Sequence, residues 1–205
     1  MSPSRTIALQ DMSSGALVPA QLIEQVDSAY AHRADDSWLS FIAAQTACAP
    51  PEGLSVSGLE LQHAHWRWEQ KVQSVGSLLS YPTLGIECAG EVQGLMLLRT
   101  DGEFGRLAEQ LHHPIVYVVF LAAAPWNLPA VVAEPRFRGV GTALLRAAVE
   151  ISGELGFKGR VGLHSLPQSE AFYHRYGMRC LGIDEDKERL NYFEMDVDTA
   201  AAFIR

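Results

Sequence analysis

Cysteine is scarce in this chain: three residues, Cys48, Cys88 and Cys180, with no C-x-x-C pair. That excludes a disulfide framework and the paired spacing of a zinc finger, and it leaves the thiols as small apolar residues in a reducing compartment. Long apolar runs are lacking too. The longest, residues 115–124, is far shorter than the roughly 20 residues of a membrane-spanning helix and suits a buried strand. Residues 1–10 hold no basic start followed by an apolar stretch, so no secretory leader is read there and a cytoplasmic location is expected. Positive charge is the third shortage. Sixteen Lys and Arg against 24 Asp and Glu give −8 at pH 7, which argues against nucleic acid or an anionic membrane as partner.

What is present describes one globular domain over residues 1–205. The chain is 48% apolar and long enough to bury roughly 70% of its unfolded surface without a metal or disulfide. Residues 5–10 suit a first strand. Residues 19–31 carry Leu22, Ile23, Val26 and Tyr30 at helical spacing. Asp35-Asp36-Ser37 suits the cap of a second helix bearing Trp38, Leu39, Phe41 and Ile42. Pro50-Pro51-Glu52-Gly53 breaks that helix, and residues 61–74 suit another. Two strands, 83–88 and 92–99, follow around a glycine turn, then a short helix at 104–112. Residues 115–124 fit a central strand covered on both faces. A helix at 141–155, a strand at 160–164, a helix at 168–176 and closing strands at 178–183 and 191–197 complete the chain. Strands and helices mix without clean alternation, so α+β or mixed α/β is the expected class.

His63-x-His65 and His112-His113 invite a metal reading. Positions i and i+2 of a helix face apart, and Glu60 and Glu69 offer the simpler partnership of surface pairing. No metal is expected. Trp66 and Trp68 beside them are read as packing residues.

The chemically informative segment is Arg136-Phe137-Arg138-Gly139-Val140-Gly141-Thr142. It follows a strand and opens a helix, so glycines permit a tight turn while the first N–H groups of the helix point outward with the positive dipole end behind them. This suits a pyrophosphate. A dinucleotide fingerprint needs a third glycine where Leu144 stands. A P-loop needs a lysine, and none occurs between Lys71 and Lys158.

The pattern Arg136-x-x-Gly139-x-Gly141 resembles the acetyl-CoA signature of the GNAT superfamily of N-acetyltransferases. Downstream, Tyr173-His174-Arg175-Tyr176-Gly177-Met178 is similar to that family's Tyr-x-x-x-Gly-Phe/Met helix ending. The resemblance covers residues 79–197 as an acetyl-CoA-binding core and leaves 1–78 as a helical part walling the acceptor side. It implies a mixed, mostly antiparallel central sheet flanked by helices. It also implies an acetyl-CoA cosubstrate and transfer of its acetyl group to a primary amine, small molecule or peptide, by direct attack.

By residue, the resemblance implies that amides of Arg138, Gly139, Val140, Gly141 and Thr142 cradle the pyrophosphate, with Arg136 flanking it. Val119, Phe120 and Leu121 would hydrogen-bond the pantetheine arm, and Tyr173 would protonate the departing thiolate. The family often has Asn where Leu166 stands; Ser165 or Gln168 is the substitute. Residues 115–124 hold no carboxylate to act as base, which leaves His164 and Glu134 as candidates. Trp126 and Asn127 are candidates to line the acceptor pocket. The missing carboxylate also keeps open an alternative, a non-catalytic acyl-CoA-binding or regulatory module. A homodimer is compatible with everything above.

Overall fold

Alternation of buried and exposed side chains, rather than helical spacing, governs the N-terminus. In the structure, a computed structural model that describes residues 3–47, 66–76 and 78–205, β1 (Ser4–Asp11) and β2 (Leu17–Glu24) form an antiparallel hairpin. Ala20 and Leu22, two apart on β2, are buried, while Pro19 and Gln21 are exposed and Ile23 is half-buried. Leu22, Ile23, Val26 and Tyr30 therefore do not share one helix, as their spacing suggested. The first two lie on β2, and the last two serve the turn and the helix that follows. Pro19 sits opposite Ala8 of β1, outside the stretch that β2 shares with β3 (Thr83–Cys88), where its missing N–H costs no second ladder bond.

Helix α1 (Ser28–Ala47) begins one residue after Asp27, whose carboxylate accepts the Tyr30 N–H at 2.7 Å. Asp35-Asp36-Ser37 lies inside α1 and does not start a second helix. Asp35 is still a cap: its buried carboxylate accepts the Trp68 and Glu69 N–H groups, at 2.9 and 3.0 Å, and so caps α2 (Trp68–Val75) from the neighbouring helix. Tyr30, Ala31, Ala34 and Trp38 form the buried stripe of α1, and the Trp38 indole N–H donates to the Val92 carbonyl at 3.0 Å. The expected break at Pro50–Gly53, the first part of the helix expected at 61–74, and His63 and His65 lie outside the described residues.

The remaining strands are β4 (Glu91–Arg99), β5 (Val116–Ala123), β6 (Phe137–Arg138), β7 (Val161–Ser165), β8 (Arg179–Asp184) and β9 (Leu190–Met195). The described strands join one sheet of order β6-β1-β2-β3-β4-β5-β7-β9-β8. It is mostly antiparallel, with β5 and β7 parallel. Helices α3 (Val140–Glu154), α4 (Glu170–Arg175) and α5 (Val197–Phe203) follow the glycine segment, β7 and β9 respectively. Two compact units are present. One comprises Met1–Ser77, Thr83–Leu95 and Leu121–Ala143; the other comprises Leu78–Pro82, Met96–Phe120 and Leu144–Arg205. In the second, Leu144, Leu145, Ala148 and Val149 of α3 are buried at steps of three and four.

Three expectations are corrected here. The helix expected at 104–112 is only a 3-10 turn, Ala108–Gln110, because Phe104 pairs across to Pro114 and Glu194 draws the loop's N–H groups inward. The strand expected to reach Val197 stops at Met195, where Asp196 caps α5 by accepting the Thr199 N–H at 2.8 Å. Finally, β5 is not covered on both faces, since Val119, Phe120 and Leu121 are all half-buried.

Asp35→Ala leaves two α2 N–H donors without their acceptor, one of them on the buried Trp68. Urea unfolding should show a loss of about 1–2 kcal/mol, with Asp35→Asn losing less.

Candidate functional site

The glycine segment is held by a buried amide on another strand. Gln93 of β4 is fully buried; its Oε1 accepts the Trp126 indole N–H at 2.8 Å and the Asn127 Nδ2–H at 2.9 Å. Its Nε2 donates to the Cys88 and Glu91 carbonyls. Asn127 then accepts the Phe137 N–H at 2.9 Å, and Trp126 accepts the Arg136 N–H at 3.0 Å. Trp126 and Asn127 of the 3-10 turn Pro125–Asn127 are thereby tied to Arg136 and to Phe137, the first residue of β6. Trp126 and Asn127, expected to line an acceptor pocket, are instead buried and committed to this clamp.

Beyond β6, Gly139 has φ +96°, a conformation that side-chain-bearing residues rarely adopt. It turns the chain directly into α3. The Ala143 N–H donates to the Gly139 carbonyl at 2.8 Å, so the amides of Val140 and Gly141 lie ahead of the helical hydrogen-bond ladder, at the positive end of the dipole. Arg136 is engaged elsewhere. Its guanidinium meets Glu91 at 2.7 Å and lies 5.0 Å from the Trp126 ring centroid. Arg138, on β6, is exposed, as is Glu134 on the preceding loop.

The second unit holds the parallel pair. Register runs Val116↔Val161, Tyr117↔Gly162, Val118↔Leu163 and stops. His164 and Ser165 continue on β7 by pairing with Tyr192 and Asn191 of β9. Ser165 is buried, and its hydroxyl donates to the Leu166 carbonyl at 2.9 Å.

His164 sits in a hydrogen-bonded chain. Nε2 lies 2.9 Å from Asp184 Oδ2, and Nδ1 lies 2.6 Å from the Tyr117 hydroxyl. A carboxylate only accepts, so Nε2 carries the proton, and Nδ1 accepts from the Tyr117 O–H. Asp184 Oδ2 also accepts from Arg106 at 2.7 Å, and Arg106 lies 4.1 Å from the Tyr192 ring centroid. Arg106 and then His164 hold the Asp184 carboxyl below its usual range, to about 2. Burial lowers the His164 pKa, against the Asp184 hydrogen bond. Burial, and then the Glu103 charge, pushes the Tyr117 phenol up to about 12.

Tyr173 occupies the other face. Its ring centroid lies 5.7 Å from that of Phe193, whereas His164 packs 5.0 Å from Tyr192, the residue before Phe193 on β9. Successive strand residues point to opposite faces. Tyr173 is buried, and burial raises its phenol pKa, so it is protonated at neutral pH. Gln93, Tyr117, Asp184 and Arg106 escaped the sequence reading. The signal for one of them was visible: Gln93 interrupts an otherwise apolar strand.

Asn127→Ala removes the acceptor of the Phe137 N–H and one donor to the buried Gln93; unfolding should show a loss of about 1–3 kcal/mol. A second outcome concerns acid. Because the folded Asp184 carboxyl is depressed to about 2, it contributes stability above the unfolded value, ~3.9. That contribution is lost as pH falls from about 4 towards 2. Across that window, the stability advantage of the wild type over Asp184→Asn should shrink in unfolding curves.

No protein-family model matches the chain, and no curated protein matches it. Solved structures do. The GNAT domain of S. lividans PAT superposes with a TM-score of 0.54 at 15% identity, over 94% of this chain and 96% of that one. Mycobacterium smegmatis RimJ, solved in complex with CoA-disulfide, superposes with 0.52 at 15%, over 99% and 93%. The PaiA N-acetyltransferase from Thermoplasma acidophilum, in complex with coenzyme A, superposes with 0.52 at 13%, over 85% and 98%. Identities this low speak for fold alone. With its mixed, mostly antiparallel sheet, flanking helices and one parallel pair that parts after three residues, the chain has the fold of the GNAT acetyltransferases.

Proposed function

We propose that the chain is an acetyl-CoA-dependent N-acyltransferase that moves an acetyl group to a primary amine, small molecule or peptide, in a ternary complex. The observation that carries this is the parting of β5 from β7 after Val118 and Leu163, with Val119, Phe120 and Leu121 half-buried beyond the last pairing. An extended pantetheine arm is a string of amides, and an open strand edge offers the matching donors and acceptors. At the other end of the ligand, the pyrophosphate suits the amides of Gly139, Val140, Gly141 and Thr142, where a helix start follows the left-handed Gly139. Arg138 and Arg136 flank that position in sequence. Arg136 must leave Glu91 to reach an anion. Ser165 stands where β7 ends and is the residue assigned to the arm in place of the missing Asn.

In this reading the neutral amine attacks the thioester carbonyl, an N–H of β5 polarises that carbonyl, and the thiolate leaves. Tyr173 supplies the leaving group's proton, a task that requires a phenol held neutral, and burial holds it so. Placing two reactants side by side supplies much of the rate. His164 is the final destination of the amine's proton, directly or through a bridging group, and Glu134 is the weaker candidate, exposed on its loop. A second reading, an acyl-CoA-binding module without turnover, is favoured by one observation: β5 carries no carboxylate.

Calorimetry with acetyl-CoA and CoA, paired with a thiol-release assay over a panel of primary amines, decides between these. Binding with turnover supports the transferase, binding without turnover supports the module, and no binding at millimolar ligand overturns both. Tyr173→Phe should lower kcat by about 10²-fold while CoA affinity stays within twofold.

A further inference from the structure

Both ring nitrogens of His164 are taken. Nδ1 holds the Tyr117 hydroxyl at 2.6 Å, Nε2 holds Asp184 at 2.9 Å, and the imidazole side chain is only 4% exposed. An amine cannot reach either nitrogen without breaking one of these bonds. Tyr117 ends the chain on one side and is half-buried rather than buried. It lies on β5, one residue before the last pair with β7 and two before the half-buried run that begins at Val119. Along the strand, side chains two apart share a face, so Tyr117, Val119 and Leu121 project to the same side. Opposite Tyr117 in register stands Gly162, where a Cβ would collide with the Tyr192 hydroxyl and with Ile115. The glycine lets the rings of Tyr117, His164 and Tyr192 crowd onto this face.

We propose that the Tyr117 hydroxyl is the group that takes the acceptor's proton, with His164 and Asp184 as positioning residues that draw the phenolic proton away. This rests on the acyl-transfer reading above. As the neutral amine attacks, a C–N bond forms and the thioester C–S bond breaks. The nitrogen's proton passes to the Tyr117 oxygen while the Tyr117 O–H proton passes to Nδ1 of His164. The imidazolium so formed faces the Asp184 carboxylate, and the thiolate takes its proton from Tyr173. On product release, His164 gives a proton to solvent and Tyr173 regains one, so protons balance over the cycle. Arg106, 2.7 Å from Asp184, keeps that carboxylate from accepting the proton itself.

The groups that face this chain are Glu103 and Arg106 from the loop before β5, Tyr192 from β9, Asp184 from β8 and Lys187 from the turn after it. Of these, Asp184 stabilises the imidazolium, whereas Arg106 and Lys187 oppose it. Removing Asp184 therefore lowers the His164 pKa, and the acidic limb of a kcat/KM profile must move to lower pH.

The test compares the wild type, Tyr117→Phe and Asp184→Asn in thiol release with the amine panel from pH 5 to 10, with CoA affinity by calorimetry and imidazole 15N spectra of the wild type. Expected are a kcat loss of about 10²-fold for Tyr117→Phe at unchanged CoA affinity, a downward shift of the acidic limb for Asp184→Asn, and an Nε2–H tautomer at His164. Tyr117→Phe retaining wild-type kcat overturns the relay and leaves the transferase standing. An Nδ1–H tautomer overturns the direction of the relay whether or not the variants fold. A wild type that binds CoA but acetylates no amine removes the acyl-transfer reading, and the relay with it.

Discussion

The parallel pairing of β5 and β7, which ends after three residues, is the constraint on which the proposed chemistry depends. Its cause is local. After Ser165 comes Leu166-Pro167, and proline has no N–H to extend a ladder and fixes the backbone for the 3-10 turn Pro167–Ser169. β7 therefore stops at Ser165, two residues past its last pair with β5, while β5 runs five residues past that pair. Those residues keep strand geometry beyond the last position that pairs with β7. A strand that outlasts its neighbour exposes backbone donors and acceptors, and such an edge is ordinarily a hazard that proteins cover. Along that stretch burial falls to half at three successive positions, Val119, Phe120 and Leu121.

Each unit spends buried polar side chains on holding loops. In the first, Gln93 and Asn127 clamp the chain that leads into Gly139, and Asp35 ties α2 to α1. In the second, Glu194 is fully buried and accepts N–H groups from Arg106 and Leu107 and the Gln110 amide. A buried carboxylate with several donors is tolerable, whereas the same group left unpaired costs several kcal/mol. Glu194 thus fixes the loop that carries Arg106, and through Arg106 it bears on Asp184 and His164. The acidic composition fits this economy. Arg136 is already paired with Glu91, so the proposed pyrophosphate site relies on backbone amides and needs no surplus of basic side chains.

Most of the second half of the fold was legible because its signals are local. An unbroken apolar run gives β5, steps of three and four give α3, and Gly177 closes α4. Residues 17–24 were misread because Leu22, Ile23, Val26 and Tyr30 satisfy a helical period while Ala20 and Leu22 satisfy a strand period; pairing with β1 and β3, which no local pattern reveals, decides for the strand. Asp35-Asp36-Ser37 has the composition of a cap and does contain one, yet the helix it caps is 33 residues away in sequence. The glycine segment and Tyr173 were singled out because their residue types stand at fixed spacing. Tyr117, Asp184 and Arg106 were missed for the opposite reason: separations of 47, 20 and 78 residues join their hydrogen bonds.

Strand alternation also settles how acid and base can coexist in the proposed reaction. Two ionisable groups on one face, close enough to serve one carbonyl, would exchange the proton with each other and lose the distinction between donor and acceptor. Tyr192 and Phe193 are successive residues of β9, so the ring packed on one and the ring packed on the other lie on opposite sides of the sheet. The Tyr173 ring packs against those of Phe172 and Phe193, and burial raises its pKa. His164 is surrounded by Tyr117, Asp184 and Arg106, whose charges oppose one another. An apolar setting keeps a phenol neutral and ready to give its proton; a setting with a paired carboxylate lets an imidazole accept one. In the proposed reaction the thioester lies along a strand edge of the sheet that separates them, so one backbone element would both bind the donor and keep the two proton-transfer groups apart.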